Sequence, residues 1–449
     1  MRATVSAMQE LKRSLRVFDG LAMVVGIMVG SGIFRTPGLV AAGLGRPWLT
    51  FVAWVVGGAL ALVGALVFAE LATRYPKAGG KYVYARAAFG PQAGFVVGWV
   101  EGLAIYTAAI AALGVVTGEF IGRLIGMPEG STRWIGVGAV AVFSGINLLG
   151  VNSGRWVQNV VTAAKVLALG GVVIAAFAAG NGAGWHGSLP TAPTGLALFG
   201  ALAVAAQSVI WSYYGSVDAA KIAEEVVEPE RTLPRIFLLG IAVVSALYLL
   251  LNAAFLYVLP FQQVAASNLV AGDVAAAIFG ARGGTIIAML ALLVVMASLN
   301  GNVFVTPRVI FGLARDGLGP AALTRVNAGG TPWTAMVLVG LVSMGLAASG
   351  TFADLLALAV VLILVIDGLT VASLFRLRAL EPQAPFKTPL YPLEPLLFIA
   401  VYIALFVGTA IARPTLTLIA ALVLAAAWAL SLLVRIERKG IPNAERQQS

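Results

Sequence analysis

The sequence predicts an all-α integral membrane protein of twelve transmembrane helices, and three observations carry that prediction. Hydrophobic residues make up 60% of the 449-residue chain and charged residues only 11%, with a mean hydropathy of +0.96, a balance foreign to soluble domains. Apolar runs of about 20 residues, enough to cross a hydrocarbon core roughly 30 Å thick, recur along the whole chain. Two of those runs are interrupted at mid-depth by small and polar residues.

The first run, 18–42, is interrupted by Gly26-Ile27-Met28-Val29-Gly30-Ser31-Gly32-Ile33-Phe34. Its halves are only about 18 and 15 Å long at 1.5 Å per residue, so neither crosses alone and together they span. It is too long and too glycine-interrupted for a cleaved signal peptide. Spans two to five follow at 48–73, 93–124, 133–150 and 156–180. Span six, 195–227, is interrupted by Trp211-Ser212-Tyr213-Tyr214-Gly215-Ser216. Spans seven to ten are 235–259, 283–314, 333–349 and 352–375, and spans eleven and twelve are 391–412 and 414–434. No linker or low-complexity stretch divides the pattern, so one domain is expected, flanked by segments 1–17 and 435–449.

Cation placement gives the orientation. Of the 29 Lys and Arg, 22 fall on the N-terminal side of span one or in every second loop, and five fall in the opposite loops. By the positive-inside rule both termini are cytoplasmic, which requires an even number of crossings. The net charge of +10 therefore encodes topology, with anionic lipid contact as a secondary consequence and no nucleic-acid partner implied. Cysteine is absent, which excludes disulfides and thiolate metal sites, and neither a metal nor a cofactor is expected.

Non-helical backbone is tolerated at membrane depth only where protein or a water-filled cavity receives its polar groups. Breaks in spans one and six occupy corresponding positions if 18–180 and 195–376 are two repeats, which must then be inverted in the membrane. Spans eleven and twelve (391–434) become structural or dimerising appendages. Such paired breaks point to a transporter's binding site. The N–H groups of Ser31, Gly32 and Ile33 at the start of the outer half-helix suit a carboxylate. Carbonyls of Met28 and Val29, and of Trp211 and Tyr214, suit an ammonium. Glycine at 30 and 32 lets a ligand approach the backbone, and Ser212 and Gly215 complete the substrate contacts expected from the breaks. A zwitterionic ligand fits that pairing of charges.

Three segments, in this order on twelve spans, carry a family resemblance: Gly30-Ser31-Gly32-Ile33-Phe34 preceded by Leu15, Asp19 and Gly26; Gly98-Trp99-Val100-Glu101; and Trp211-Ser212-Tyr213-Tyr214-Gly215 followed by Ile222-Ala223-Glu224-Glu225. The chain resembles the amino acid–polyamine–organocation superfamily, most closely its L-type-like bacterial amino-acid permeases, from about Leu15 to Arg435. The resemblance implies secondary active transport of L-amino acids by alternating access through a five-plus-five inverted-repeat fold. It also implies an aromatic lid over the substrate at Trp211. Some arginine-type relatives carry an acidic residue where this chain has Val217, and many L-type relatives carry a bulky aromatic where it has Ser216. A neutral substrate, small or medium in size, is therefore expected.

Lys165 lies mid-span, where an ionisable group is a functional candidate by default. In the family it resembles, a lysine here puts its amine where sodium-coupled relatives hold sodium. The expected partners are carbonyls near Gly26 and Ile27, with Ser298 as a hydroxyl. Two roles stay open: a fixed cation in an exchanger, or a desolvated lysine that carries the coupling proton. Glu101, Asp367 and Asp218 read mainly as structural, and the run Glu224–Arg231 as a salt-bridged cytoplasmic gate element. The single histidine, His186, falls in a glycine-rich external loop, and no hydrolase, phosphate-loop or metalloprotease motif is present, so an enzyme is not expected. A channel, a sensor retaining the fold, and a cationic amino-acid or polyamine carrier are the rival classes.

Overall fold

The computed structural model describes residues 11–30, 32–267, 269–349 and 352–433, and every named element among them is helical. In chain order the α-helices are α1 (Val17–Met28), α2 (Gly32–Leu44), α3 (Pro47–Arg74), α4 (Lys81–Phe89), α5 (Pro91–Trp99), α6 (Tyr106–Ile125), α7 (Thr132–Leu148), α8 (Val151–Ala179) and α9 (Gly195–Ser212). They continue as α10 (Pro229–Val258), α11 (Phe261–Ala266), α12 (Val270–Phe279), α13 (Gly283–Arg315), α14 (Trp333–Ser349), α15 (Phe352–Leu380), α16 (Leu393–Ala412) and α17 (Pro414–Leu433).

Eight described helical segments are by themselves long and apolar enough to cross a membrane, and α1 with α2 forms a ninth crossing bent by 48°. The remaining predicted spans are carried by α7, α9 and α14, of 17, 18 and 17 residues. Short helices α4, α11 and α12 lie between spans and were not anticipated from hydropathy. Span three is continuous but changes pitch: a π-helical segment, Val100–Ile105, joins α5 to α6. Such wide turns recur at functional sites because they turn side chains off the helical stripe.

The two discontinuous spans lie against each other. α2 packs on α9, while α1 packs on α8, α10 and α13. The inner part of span six differs from the expectation of an α-helix, since the chain turns through 213–217 and continues as a 3₁₀ helix, Asp218–Glu225. Helix α8 begins five residues before the apolar run does, which makes Lys165 its central residue. One stripe of α8, Gly154, Gln158, Thr162, Lys165 and Leu169, is buried at helical spacing, while Leu167 and Ile174 on the other face are 76% and 73% exposed. Polar residues thus face the bundle and apolar ones face outward, the inverse of a soluble helix.

Candidate transport site

Helix α1 ends by a tight turn. The Val29 N–H makes the last helical bond, to Val25 O at 3.1 Å, and Gly30 N–H then bonds back to Met28 O at 2.9 Å. Val29 at φ −76° and ψ 86° is close to the centre of an inverse γ-turn. Ser31 lies outside the described residues, and α2 restarts at Gly32. The first-turn N–H groups of α2, from Gly32 and Ile33 onward, have no partner within their own helix.

Span six breaks beside this turn. A Cβ on Gly32 would sit 3.2 Å from Ser212 Oγ, and one on Gly215 would sit 2.6 Å from Ile27 Cγ2. Gly215 also has φ +100°, so both its backbone conformation and its closeness to α1 require glycine there. Tyr248 on α10 ties the breaks together: its hydroxyl lies 2.9 Å from Met28 O and 2.8 Å from Ser212 O. With one proton it donates to one carbonyl at a time. Trp54 and Tyr213 pack around its ring at centroid distances of 5.4 and 5.2 Å. Trp211 sits in the last turn of α9, and its side chain lies outside the description. Val217 is buried and, with Tyr214, Gly215, Ser216 and Asp367, borders a cavity of about 30 Å³.

Lys165 is fully buried. Its ammonium donates to Gly26 O at 2.8 Å and to Val29 O at 2.6 Å. Ser298 on α13 reaches the same two carbonyls, at 2.9 and 3.1 Å. The partner expected at Ile27 is thus Val29, because the turn swings the Val29 carbonyl toward α8. The Met28 and Val29 carbonyls, expected to receive a substrate ammonium, are engaged by Tyr248, Gly30, Lys165 and Ser298. Gly26 allows this approach, since a Cβ there would fall 1.8 Å from Gln158 Nε2.

A polar spine continues from Lys165 along α8. Thr162 Oγ1 donates to Ala22 O at 3.1 Å. Asn300 on α13 donates to Gln158 Oε1 at 2.8 Å, and Asn147 on α7 donates to Asn300 Oδ1 at 2.9 Å. These residues were missed in the sequence because each looks like an ordinary polar residue in an apolar helix. For Gln158 and Thr162, the i, i+4, i+7 register with Lys165 on one helix was the available signal.

On the face where the chain begins, the bundle is sealed. Ser14 and Leu15 donate backbone N–H bonds to Glu225 O at 2.8 and 2.9 Å, and Val227 N–H returns one to Leu15 O at 2.9 Å. Glu225 pairs with Arg308 at 2.7 Å, both nearly inaccessible, and the Arg308 guanidinium also donates to Phe304 O. Glu224 holds Arg315 by two bonds of 2.5 and 2.6 Å. Asp19 accepts the Arg16 N–H at 2.9 Å and so caps α1.

Near this seal lies a cluster whose two lysines the cation count had assigned to loops. Lys81 on α4 and Lys221 on the 3₁₀ helix are both buried. Lys81 pairs with Asp367 of α15 at 2.5 Å, Lys221 pairs with Asp218, and Glu101 of the π-helical segment sits between, 3.6 Å from Lys81 Nζ and 3.7 Å from Lys221 Nζ. Tyr106 OH donates to Asp218 Oδ1, and the Lys221 ammonium lies 3.2 Å from the Tyr106 ring centroid. Of the cations read as topological, Lys81, Lys221 and Arg308 are therefore internal partners of carboxylates.

A family model described as amino acid permease matches residues 15–430. The serine/threonine exchanger SteT of Bacillus subtilis (strain 168) is 30% identical over 87% of this chain and 89% of its own length. The human b(0,+)-type amino acid transporter 1 is 27% identical over 90% of this chain and 84% of its own. The human cystine/glutamate transporter is 28% identical over 85% of this chain and 77% of its own.

Proposed function

The chain belongs to the amino acid permease family and is a multi-pass membrane transporter of amino acids, and from that premise we propose that it exchanges small neutral L-amino acids by alternating access. We place it in the cytoplasmic membrane with both termini inside, following the cation asymmetry. The observation that carries the exchange reading is the Lys165 ammonium bound to the Gly26 and Val29 carbonyls at the end of α1. An ammonium tethered there fills the place of a coupling ion and leaves transport to run by substrate counterflow.

The breaks supply the rest. The N-terminus of α2 at Gly32 and Ile33 offers donors and a positive dipole end to the substrate carboxylate. With the Met28 and Val29 carbonyls engaged by the protein, the ammonium falls to the carbonyls of the turn after α9, near Trp211 and Tyr214. Val217 and Ser216 give no acidic partner for a cationic side chain and little bulk, which supports a small neutral side chain, as does the substrate pair in the name of the Bacillus relative. Trp211 is proposed as the outer lid. The two five-span units, 18–180 and 195–376, are proposed as inverted repeats that move against each other.

Uptake of labelled amino acids into proteoliposomes tests this. Serine, threonine, alanine and leucine are offered with and without internal substrate, and with an imposed pH gradient. Uptake that needs internal amino acid and ignores the gradient is expected. Uptake driven by the gradient into empty vesicles would replace exchange with proton symport, and Lys165 would then be the proton carrier.

A further inference from the structure

The buried cluster around Glu101 holds three carboxyl groups, Glu101, Asp218 and Asp367, and two ammoniums, Lys81 and Lys221. Each aspartate is spoken for, Asp367 by Lys81 at 2.5 Å and Asp218 by Lys221 and Tyr106. Glu101 is fully inaccessible, and neither of its oxygens accepts a hydrogen bond among the described residues. With all five groups ionised the cluster would carry one surplus negative charge away from water. One proton on the carboxyl group left over brings it to neutrality. We propose that Glu101 is a proton-binding site, occupied in the conformation described here, and that losing this proton at alkaline pH loosens the packing of spans three, six and ten.

Among the described residues no further carboxylate or ammonium reaches Glu101 to take over the balance, and Tyr402 of α16 faces the cluster only from the side of Asp367 and Lys81. From α4 the cluster is faced by Lys81 and by Tyr84, whose hydroxyl is also without a hydrogen bond. The turn of span six contributes Tyr214, 3.3 Å from both Lys81 Nζ and Tyr106 OH. Helix α13 meets the π-helical segment with Ile310 and Val309, seen against Gly102, while its Arg308 and Arg315 are committed to Glu225 and Glu224. Helices α14 and α17, which also pack on the segment, contain no ionisable side chain. The π turn carries Glu101 to this junction of four elements. The step is a simple protonation, in which a carboxylate oxygen takes a proton from water and returns it when bulk pH rises. Protonation favours the packed state, so that state is complete at low and neutral pH and is lost as pH rises through the Glu101 titration. The transport consequence rests on the exchange function proposed above, while proton occupancy does not.

Infrared difference spectroscopy on the purified full chain, between neutral and alkaline buffer and with no amino acid present, reads occupancy directly. The wild type is expected to show a protonated-carboxyl C=O band at neutral pH that disappears on alkalinisation. Glu101→Gln should lack the band, and Glu101→Asp should keep it at a shifted position. Asp367→Asn leaves two carboxylates for two ammoniums, so Glu101 should ionise and the band should vanish although Glu101 is intact. In proteoliposomes, wild-type exchange should fall at least tenfold across the alkaline limb, whereas Glu101→Gln, permanently neutral, should run flat. A band unmoved by Glu101→Asp, or one surviving both Glu101→Gln and Asp367→Asn, overturns the proposal, as does a Glu101→Gln profile parallel to wild type. If no variant or wild type exchanges any amino acid, the function proposed above fails, and the spectroscopic result still decides the proton site.

Discussion

Two regions of this protein bury lysine ammoniums by opposite means. Lys165 donates to two backbone carbonyls, Gly26 O and Val29 O, which it shares with the Ser298 hydroxyl. Lys81 and Lys221 are each paired with a carboxylate, Asp367 and Asp218. A carboxylate pair locks two side chains into a mutual arrangement that is costly to separate. Carbonyl dipoles belonging to the broken end of a helix tie an ammonium to one backbone conformation. The contrast assigns different work: Lys165 holds the shape of the α1 turn, and the paired lysines hold spans to one another.

The largest expected effect tests that assignment at Lys165. Lys165→Ala removes two charge-assisted bonds, each worth about 1.5–3 kcal/mol, so exchange should drop by at least about 100-fold. The protein should remain monodisperse, because the substitution leaves no uncompensated buried charge. Near-normal exchange by Lys165→Ala in proteoliposomes would erase the distinction between the two regions. Glu225→Gln probes the pairing mode at the sealed face. It leaves the inaccessible Arg308 guanidinium without a counter-ion, and loss of one buried partner costs about 3–5 kcal/mol. The apparent unfolding temperature in detergent should fall by more than it does for Lys165→Ala. The opposite ranking would mean that the carbonyl-bound ammonium is the more structural of the two.

Tyr248→Phe comes next. The hydroxyl bridges Met28 O and Ser212 O, and its loss leaves one buried carbonyl short of a donor at about 1–2 kcal/mol. Exchange should slow roughly tenfold with little change in unfolding temperature. An equal loss of stability and transport would make Tyr248 a packing residue and not a coupler of the two breaks.

The same contrast explains what the sequence made legible. Lys165 stood out because it interrupts an apolar run at its centre, and hydropathy registers that directly. The glycine-rich break in span one was visible for the same reason, as was the number of spans, since the lipid environment dictates the composition of every crossing. Lys81 lies in a loop between predicted spans and Lys221 near the end of one, where a cation reads as a topology signal. Only the packing of α4 and of the 3₁₀ helix carries them inward. The 3₁₀ helix itself was hidden, because Asp218–Glu225 has no composition that distinguishes i+3 from i+4 bonding. The carbonyl expected at Ile27 proved to be that of Val29, a two-residue difference made by one turn at Gly30.

The smallest effect sharpens the comparison most. Ser298 Oγ contacts the same two carbonyls as Lys165, but it is neutral, and Lys165 already satisfies each of them. Ser298→Ala should therefore cost about 0.5–1.5 kcal/mol, a few-fold loss of exchange. If the serine acts only by holding the Gly26 and Val29 carbonyls for the ammonium, its removal should cost nothing further once Lys165 is alanine. A double-mutant cycle in proteoliposomes measures this, because residues sharing a partner are coupled while independent ones add. Additive losses would separate the hydroxyl from the lysine and give Ser298 a contribution of its own, independent of the α1 turn.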